Sequence, residues 1–387
     1  MKKVLILGGG FAGVQAAIEL QKSKQFEVTL VSDRDYLFVY PLSIWIPVHL
    51  MEFEDVKVPL TKIIKKYPFD LIIDTVKGIK AADNHVICES QVLSYDYLVV
   101  AIGDDKLQHK GINHTLTICG KPERILELRN KLDALIEKGT GRIAVGFGSN
   151  HIDKSAVRGE PAFELIFNIH HFLKKKGVRD NFTLTFFAPM KEPATSMGKG
   201  VVKLINKMFK QQNIEKRLGK EIVEFVSDGV IFEDKSKLES DLIMFIAAGT
   251  GSAVLTKTDL PLSDSGFIKI NDYNQVPAFP NVFAIGDTAA YEGPEWRTKQ
   301  GHIAELMGRN AAQNIIRIEN NRTHFKVYRK HLSILYVMDT GNGAAFVFRN
   351  RQNAIVIPLP VVGHWMKKAW GVYTKFSKTG KIKIPFQ

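Results

Sequence analysis

MKKVLILGGGFAGVQAA, residues 1–17, carries the strongest structural pattern in this chain of 387 residues. Val4 to Leu7 is a continuous apolar run, which is typical of a strand buried on both faces of a parallel sheet. The run leads directly into Gly8, Gly10 and Gly13, which have the spacing G-x-G-x-x-G, and then into a helical pattern. Glycines at these positions allow a tight turn, close approach of a pyrophosphate and close packing of the helix on the sheet. The stretch therefore predicts a dinucleotide-binding strand, turn and helix.

The residues around this turn extend the predicted site. Phe11 and Ala12 occupy the two positions between the second and third glycines. A second strand, Glu27 to Ser32, follows the helix, and Asp33 comes directly after it. An acid at about this distance binds the ribose of many dinucleotides. Ser32 holds the end of the strand and the acid comes one residue later, so both are candidate cofactor-binding residues and the ribose contact itself is left open.

Two later stretches have the form of a buried strand that ends at small residues. YDYLVVAIG, residues 95–103, resembles the Ala-Thr-Gly signature of flavoproteins with two dinucleotide-binding domains, and NVFAIGDTA, residues 281–289, resembles their Gly-Asp signature. Residues 70–76 form a further predicted strand towards the adenine end of the cofactor. The three glycine patterns, in this order, predict FAD rather than NAD in the first site. The additional cofactor-binding residues predicted here are Val76, Ala101, Gly103, Gly286 and Asp287.

A second α/β unit lies between those two signatures. GRIAVGFG, residues 141–148, opens like another dinucleotide-binding turn, but His151 stands where the third glycine is expected. The segment that follows is polar, and a helical pattern resumes only at about Pro161 to Phe172. A pyridine nucleotide needs the close backbone approach that this change removes. NAD binding at this turn is therefore weakened but left open.

The length and the order of these patterns predict the domain organisation. A chain of 387 residues is too long for one compact core. We expect an α/β fold of the glutathione-reductase type, with two Rossmann-like dinucleotide-binding domains. Residues 1–105 and 260–320 would form a discontinuous FAD-binding domain, residues 106–259 the second Rossmann-like domain, and residues 321–387 a C-terminal α/β region for membrane association.

Composition and length bound the compartment and the partners. No apolar run approaches the roughly 20 residues that span a bilayer, and a strand that starts by Lys3 leaves no room for a signal peptide. Two cysteines, Cys88 and Cys119, predict no disulfide framework and a protein made in the cytosol. The net charge of +13 (53 Lys and Arg minus 40 Asp and Glu) predicts an anionic partner. Because no nucleic-acid motif is present and much of the excess lies near the C-terminus, we expect a membrane surface and no nucleic acid.

The C-terminal region contains a predicted amphipathic helix that begins near Val361. Apolar residues that include Trp365 and Trp370 follow helical spacing, and lysines lie opposite them. Tryptophans with flanking lysines are typical of a helix in the headgroup plane of a membrane, where each basic residue contributes about 1 kcal/mol. The alternative is an amphipathic helix docked on its own domain or on a second subunit, which leaves a homo-oligomer open. The lysines are Lys367, Lys368, Lys375 and Lys378.

Several stretches give the chain a resemblance to a known family. It resembles the sulfide:quinone oxidoreductases over essentially its whole length, and it is similar to flavocytochrome c sulfide dehydrogenase and, more distantly, to type II NADH dehydrogenases. The resemblance implies a peripheral membrane FAD enzyme that passes electrons from a small donor to a quinone. Type II NADH dehydrogenases carry an intact second glycine motif, which is absent here. The matching stretches are FVYPLSIWIPV (38–48), GEPAFELIFNI (159–169), KQGHIAELMGRNAAQNI (299–315), MDTGNGAAF (338–346) and the basic, aromatic C-terminal tail.

The chain departs from that family where the redox cysteines are expected. The resemblance implies one cysteine just before residue 159 and one just before residue 338, but these neighbourhoods hold Ala156 and Val157, and Leu335 to Val337. A disulfide relay cannot operate without thiols at those positions. Cys119 resembles the family's third cysteine, near the dimethylbenzene edge of the flavin. It is a candidate covalent tether, a nucleophile or a silent buried thiol.

Further site residues follow from the resemblance. Glu164 is predicted to relay protons to a reduced quinone; its alternative is a helix-surface carboxylate. Lys299 resembles a lysine near the flavin pyrimidine, where a cation stabilises the anionic reduced flavin; its alternative is a solvated side chain. Tyr336 and Phe346, with the two tryptophans of the C-terminal helix, are predicted at the quinone and the membrane. The histidines show no metal-ligand pattern, so we expect no metal.

Three hypotheses for the electron donor stay open at the level of the sequence. The first is sulfide or a related sulfur species, handled without the usual cysteine pair and through Cys119. The second is NADH, bound by the second domain despite His151. The third is a catalytically weak relative that keeps FAD in a sensing role.

Overall fold

The computed structural model describes residues 1–380. Strands and helices alternate in two regions of the chain, and an antiparallel sheet precedes the last helix. The α-helices in this range are α1 (Phe11–Ser23), α2 (Leu60–Ile64), α3 (Arg124–Lys138), α4 (Glu160–Lys175), α5 (Lys199–Gln211), α6 (Gly301–Glu319) and α7 (Val362–Lys378).

The strands fall into three groups along the chain. The first group is β1 (Lys2–Leu7), β2 (Phe26–Ser32), β3 (Tyr36–Phe38), β4 (Lys57–Pro59), β5 (Asp70–Ile73), β6 (Val76–Lys80), β7 (His85–Cys88), β8 (Val92–Ser94), β9 (Tyr97–Val100) and β10 (Asp105–Lys106). The second is β11 (Gly141–Phe147), β12 (Phe182–Ala188), β13 (Ile214–Leu218), β14 (Ile222–Val226), β15 (Gly229–Phe232), β16 (Lys237–Glu239), β17 (Leu242–Ile246) and β18 (Gly249–Thr250). The third is β19 (Ile268–Lys269), β20 (Gln275–Val276), β21 (Phe279–Ala284), β22 (Ala289–Ala290), β23 (Ile334–Asp339), β24 (Gly343–Arg349) and β25 (Ala354–Pro360).

The first large sheet has the strand order β20-β21-β9-β1-β2-β5. Its strands run parallel except for the edge strand β20. β1 lies between β9 and β2, and Val4 to Leu7 are buried, as expected for a parallel strand inside an α/β sheet. The carboxyl ends of parallel strands share one edge of the sheet, and hydrogen bonds from Gly8 to Val31 and from Ala101 to Leu7 join the chain there.

Helices α1 and α6 pack against each other beside this edge. A Cβ added to Gly308 of α6 would lie 2.3 Å from the carbonyl oxygen of Ala12 in α1. The glycine therefore allows the two helix backbones to come into direct contact. The contact between the two helices positions α6 beside the turn that follows β1.

The second large sheet has the order β13-β12-β11-β17 and is parallel throughout. It uses residues 141–246, whereas the first sheet uses residues 2–100 together with residues 275–284. The predicted α/β fold with two Rossmann-like sheets is confirmed. The domain boundaries at residues 105, 260 and 320 stay predictions, and the tail at residues 381–387 lies outside the described residues.

The sheet β23-β24-β25 is an antiparallel meander, and α7 packs on it. The buried residues of α7 are small or polar, namely Gly363, Lys367, Gly371, Thr374, Ser377 and Lys378. Its large exposed side chains are apolar, namely Val362, Trp365, Met366, Trp370, Val372 and Phe376. The helix is therefore docked by its polar face and turns its apolar face outwards. Among residues 1–380, none of the helices has the length and apolarity that a membrane crossing requires.

This orientation corrects the prediction for the lysines of α7. Lys367 and Lys378 are each only 3% exposed, so they do not lie at a membrane surface. The helix does dock on its own domain, as the alternative had it, but through its polar face, since Trp365 is 65% exposed. The reason is steric: Cβ atoms on Gly363 and Gly371 would lie 2.5 Å from Ala344 Cβ and 2.6 Å from Leu42 Cδ1. Only the face of α7 that carries Gly363 and Gly371 can approach β24 and the segment around Leu42 so closely.

Candidate active site

The turn between β1 and α1 is tightly constrained on one side and open on the other. Gly8 has φ +111°, and a Cβ on it would lie 2.2 Å from the carbonyl oxygen of Ala101, so only glycine fits. Gly10, the N-cap of α1, has no heavy atom within 4 Å of the position of a Cβ. The N–H groups of Phe11 and Ala12 lie in the first turn of the helix. This is the arrangement that receives a pyrophosphate.

The two residues predicted near the ribose are held differently. Ser32, the last residue of β2, is buried, and its Oγ donates to the carbonyl oxygen of Arg34 at 2.6 Å. The carboxylate of Asp33 is exposed and lies 3.3 Å from Arg34 Nε. Ser32 thus stabilises the turn, and Asp33 is the group available to a ribose. The prediction of one strand over residues 70–76 is wrong, since this stretch contains all of β5 and the start of β6. Val76 is the first residue of β6.

The two later signatures reach the same edge of the sheet. Gly103 has φ +78° and no heavy atom within 4 Å of a Cβ position, and Gly13 packs on the carbonyl of Gly8 with a Cβ-to-oxygen distance of 2.0 Å. Gly286 has φ +67° and begins a short 3-10 turn that carries Asp287. The first-site glycines of the sequence are therefore brought together around the N-terminus of α1.

Arg158 connects two carboxylates at this edge. Its guanidinium forms an ion pair with Asp287 and lies 3.2 Å from a carboxylate oxygen of Asp104. Burial favours the neutral acid, but the charges of Arg158 and Lys299 outweigh it and hold the pKa of Asp287 below its usual value. Sequence reasoning did not identify Arg158 or Asp104. Their only signal was their position beside Gly159 and Gly103.

Lys299 is buried beside the same turn, so the alternative of a solvated side chain is wrong. Its Nζ donates to the carbonyl oxygens of Asp287 at 2.8 Å and of Ala289 at 2.7 Å. The ammonium also lies 3.7 Å from the ring centroid of Phe267. Burial lowers the pKa of Lys299 to about 8, although Asp287 acts in the opposite direction. The positive charge is thus held next to the Gly-Asp signature.

The turn after β11 is filled by side chains of the protein itself. A Cβ on Gly148 would lie 3.0 Å from the ring of Phe245 and 3.3 Å from Nε2 of His109. The chain then continues without an α-helix until α4 begins at Glu160. His151, in the intervening segment, is exposed. A helix N-terminus does not follow this turn directly, so the pyrophosphate arrangement of the first turn is not repeated.

The two segments where the resemblance implies cysteines lie together. The hydroxyl of Tyr336 on β23 donates to the carbonyl oxygen of Glu160 at 3.1 Å. Ala156 is buried and Val157 is half-buried just before that helix. The cysteines of the chain, Cys88 and Cys119, are both free and lie outside these segments. A disulfide relay therefore has no sulfur atoms in this place.

The positive charge of Arg158 acts on the thiol of Cys119. Burial raises the pKa of its thiol, and the positive charges of Lys106 and Arg158 offset only part of that effect. The backbone N–H of Cys119 donates to Oγ1 of Thr117 at 3.1 Å. Because the thiolate is the reactive form, a raised pKa leaves Cys119 a protonated thiol at neutral pH.

Glu164 is at the centre of a buried polar cluster between α4, β23 and α7. Its side chain is 2% exposed, so the alternative of a helix-surface carboxylate is wrong. It forms an ion pair with Lys367 and accepts a hydrogen bond from the backbone N–H of Asp339 at 2.6 Å. Burial raises the pKa of Glu164 to about 7, although Lys367 acts in the opposite direction. The cluster therefore contains a carboxyl group that titrates near neutral pH.

Asp339 extends this cluster towards the surface. It is buried, accepts a hydrogen bond from Asn168 Nδ2 at 2.9 Å, and lies 2.7 Å from Nδ1 of His364. Burial acts to raise the pKa of Asp339, but the hydrogen bond to His364 and the charge of Lys367 hold it below its usual value. Sequence reasoning placed Lys367 opposite the tryptophans as a lysine at the membrane surface and missed this cluster. The one available signal was that Asp339 belongs to the MDTGNGAAF stretch.

The four aromatic residues predicted at the quinone and the membrane lie in two places. Tyr336 is half-buried, and Nζ of Lys367 lies 5.4 Å from its ring centroid. Phe346 on β24 is half-buried and pairs in register with Val337. Trp365 and Trp370 are on the outward face of α7. Tyr336 thus belongs to the Glu164 cluster, whereas the tryptophans belong to the surface.

The first site has an open helix N-terminus, an exposed carboxylate at the ribose position and buried positive charge beside the Gly-Asp turn. These residues fit a flavin dinucleotide, and together with the second parallel sheet they define an FAD-dependent oxidoreductase with two dinucleotide-binding folds. A family comparison agrees with this class. Its model matches residues 2–308, and the chain belongs to the pyridine nucleotide-disulphide oxidoreductase family. FAD is its cofactor.

Individual relatives are similar over most of their length. The chain is 26% identical over a 416-residue alignment to the sulfide-quinone reductase of Aquifex aeolicus, covering 100% of this chain and 93% of that protein. It is 26% identical over 351 residues to the type II NADH:quinone oxidoreductase of Staphylococcus epidermidis, covering 83% of this chain and 84% of that protein.

Solved structures show the same fold. The sulfide:quinone oxidoreductase from Aquifex aeolicus superposes with a TM-score of 0.90 at 24% identity, covering 100% of this chain and 93% of that one. NDH2 from Plasmodium falciparum superposes with a TM-score of 0.77 at 14% identity, covering 100% and 99% of the two chains.

Proposed function

We propose that this protein is a peripheral membrane enzyme that passes electrons from sulfide or a related sulfur species, with FAD as its cofactor, to a quinone. The observation that carries the proposal is the buried pair of Glu164 and Lys367 behind the outward apolar face of α7. Quinone is the acceptor named for both kinds of relative, the sulfide-quinone reductase and the type II NADH:quinone oxidoreductase. Exposed tryptophans on an amphipathic helix support a site at a membrane surface, where an apolar quinone is dissolved.

The Glu164 cluster is suited to supply protons. When bound, FAD supplies the two-electron redox chemistry. Reduction of a quinone to a quinol consumes two electrons and two protons. Because its pKa is about 7, the carboxyl group of Glu164 is populated in both protonation states at neutral pH, as an effective proton donor must be. The ammonium of Lys367 and the N–H of Asp339 orient the carboxylate and stabilise it after the proton has left.

The donor side supports sulfide over NADH. At the second turn, Gly148 is packed against Phe245 and His109, and α4 begins only at Glu160. NADH would need a pyrophosphate site that this turn does not offer, whereas a small sulfur donor needs none. Oxidation of sulfide to zero-valent sulfur releases two electrons, which equals the number that a quinone takes up. In this proposal the sulfur is not carried by thiols at residues 156–157 or 335–337, because none are present.

Anaerobic bleaching of the flavin absorbance tests the donor. We expect sulfide to bleach the purified holoenzyme within seconds and NADH to leave it oxidised. Bleaching by NADH alone would overturn the sulfide assignment and establish a type II NADH dehydrogenase-like activity. Bleaching by neither would favour the sensing alternative. In the same assay, Cys119→Ser tests the predicted role of that thiol, since full sulfide activity in the variant would remove Cys119 from the mechanism.

Vesicle binding tests the membrane assignment. A double variant, Trp365→Ala with Trp370→Ala, should weaken sedimentation with phosphatidylcholine vesicles, because it removes the two largest side chains of the outward face. The matched control replaces two exposed apolar residues elsewhere, Val92→Ala with Val223→Ala, and should bind as the unmodified protein does. Equal binding by all three proteins would contradict the assignment of this face to the membrane.

A further inference from the structure

A second feature of the α7 region is a cleft of about 410 Å³ beside its C-terminal end. The cleft lies between α7 and the segment that contains β4 and α2. Its lining includes Lys57, Lys62, Lys65, Lys375 and Phe376, together with the carboxylates Glu54 and Asp55. It is separate from the Glu164 cluster, whose lysine, Lys367, faces the protein interior.

The positive charges of this cleft are only partly neutralised. Lys57 forms an ion pair with Glu54 at 2.5 Å and lies over the rings of Tyr36 and Phe53. In the described part of the chain, the other lysines of the lining, Lys62, Lys65 and Lys375, form no ion pair with a carboxylate. Within residues 1–380, four lysines therefore line one cleft that contains only two carboxylates, and one of these is already paired with Lys57.

This convergence has an energetic consequence. Burial and the neighbouring charge of Lys62 lower the pKa of Lys375, and Asp55 offsets only part of that effect. Like charges held close together repel one another, and the repulsion is relieved when an anion binds between them. A phosphate group with two or more free oxygens can accept hydrogen bonds from several lysine ammonium groups at once.

We propose that the cleft binds the phosphate of an anionic phospholipid headgroup. The proposal rests on the peripheral membrane association proposed above. Phe376 lines the cleft and also belongs to the outward apolar face of α7, which continues at helical spacing through Val372 to Trp365. A headgroup in the cleft would therefore have its acyl chains beside an apolar surface. A soluble phosphate compound would use the lysines but not that surface.

Sedimentation of the holoenzyme with two kinds of vesicle tests the site. One kind contains phosphatidylcholine only, and the other also contains phosphatidylglycerol. The cleft variant is Lys62→Gln, Lys65→Gln and Lys375→Gln, and the control variant is Lys80→Gln, Lys257→Gln and Lys269→Gln. The control lysines are exposed and lie outside the lining, and the change in net charge is the same. Flavin absorbance reports that each variant is folded.

The unmodified protein should prefer the anionic vesicles, and the cleft variant should lose that preference. If each lysine contributes about fivefold, the loss is roughly 100-fold, and the control should change by less than about threefold. Binding of the cleft variant to neutral vesicles should be unchanged. Equal losses in both variants, or none in either, would overturn the cleft but leave the membrane assignment standing. Failure of the unmodified protein to bind any vesicle would overturn the membrane assignment and the cleft together.

A competition arm separates the two sources of phosphate. Glycerol phosphate, at the same concentration as the accessible headgroups, should not displace the protein from anionic vesicles. Displacement at that concentration would mean that the cleft recognises a soluble phosphate ester, and it would overturn the assignment to a lipid.

Discussion

Helices α1 and α4 follow β1 and β11, one strand in each of the two parallel sheets. The functional groups of α1 are the backbone N–H groups at its N-terminus, whereas those of α4 are side chains. α1 begins at the end of its turn and offers backbone N–H groups beside Gly10, where a Cβ position is open. α4 begins at Glu160, well beyond its turn, and its side chains Glu164 and Asn168 form hydrogen bonds with β23, while Glu164 also pairs with α7. The first unit therefore offers its backbone N–H groups to an anion, whereas the helix of the second unit holds a buried carboxylate.

The largest effect that would break this comparison is expected at Lys367. At about pH 9, where Glu164 with its pKa of about 7 is ionised in the unmodified protein, Lys367→Met leaves this carboxyl buried without its charged partner and should destabilise the protein by about 3–5 kcal/mol. Lys368→Met is the matched control, because Lys368 is half-buried and its Nζ lies over the rings of Trp45 and Trp365 rather than beside Glu164. The control should cost about 1 kcal/mol or less. Urea midpoints of the three proteins measure the difference. Similar midpoints for both variants would mean that α4 does not depend on a charged partner.

A somewhat smaller effect is expected at the first turn. Gly10→Val fits the apoprotein, since its Cβ meets no heavy atom within 4 Å, but it fills the approach of a pyrophosphate. FAD affinity should fall by at least about 100-fold, or about 2.8 kcal/mol, in a titration of apoprotein with FAD. Gly148→Ala, in the second turn, should change FAD affinity by less than about threefold. If Gly148→Ala weakens FAD binding as much, the two turns do not differ in function as we describe.

The titration of Glu164 gives a third, pH-dependent effect. Its pKa is raised from 4.5 to about 7, mainly by burial, so the native state holds more protons than the unfolded state between those values. The stabilisation linked to this group is therefore present at low pH and is lost as the pH rises from about 4.5 to about 7. In Glu164→Gln this contribution is absent. The difference in free energy of unfolding between the unmodified protein and the variant should therefore change between about pH 4.5 and about pH 7. A difference that is constant with pH would show that Glu164 has an ordinary pKa.

The smallest effect sharpens the comparison from the ligand side. NADH should leave the melting temperature of the apoprotein unchanged, because the second turn offers it no pyrophosphate site. FAD at 1,000 times its dissociation constant should stabilise the same apoprotein by about 4 kcal/mol. Thermal scans with each nucleotide measure both values. A rise in melting temperature with NADH that persists in Gly10→Val, where the first turn is blocked, would mean that the second turn binds a nucleotide.

The first turn was predictable because its constraints are local. Val4 to Gly13 contains the strand, the tight turn and the start of the helix, and Ala101 is supplied by a strand with its own signature. The broken second motif was predictable for the same reason, since His151 and the polar segment are visible in the chain. The aromatic packing around Gly148 was not, because Phe245 comes from a distant strand.

The Glu164 cluster could not be derived from local pattern. Glu164 and Lys367 are 203 residues apart in the sequence, and each has an ordinary surface explanation by itself. Helical periodicity separated the two faces of α7 correctly but does not state which one is inward. That choice depends on the glycines that meet Ala344 and Leu42, and their meaning appears only when the neighbouring elements are in place. Arg158 and Asp104 were missed likewise, because the ion pairs that define them join distant segments.

The close docking of α7 also sets a length scale. An α-helix with its side chains is about 10–12 Å across, and Lys367 on its inner side contacts Glu164 while Trp365 and Trp370 are on its outer side. If the outer side contacts lipid, the thickness of one helix separates the hydrocarbon from a carboxyl group that titrates near neutral pH. A quinone ring would then reach a proton source without leaving the depth of the membrane interface, and its isoprenoid tail could remain among the lipids throughout.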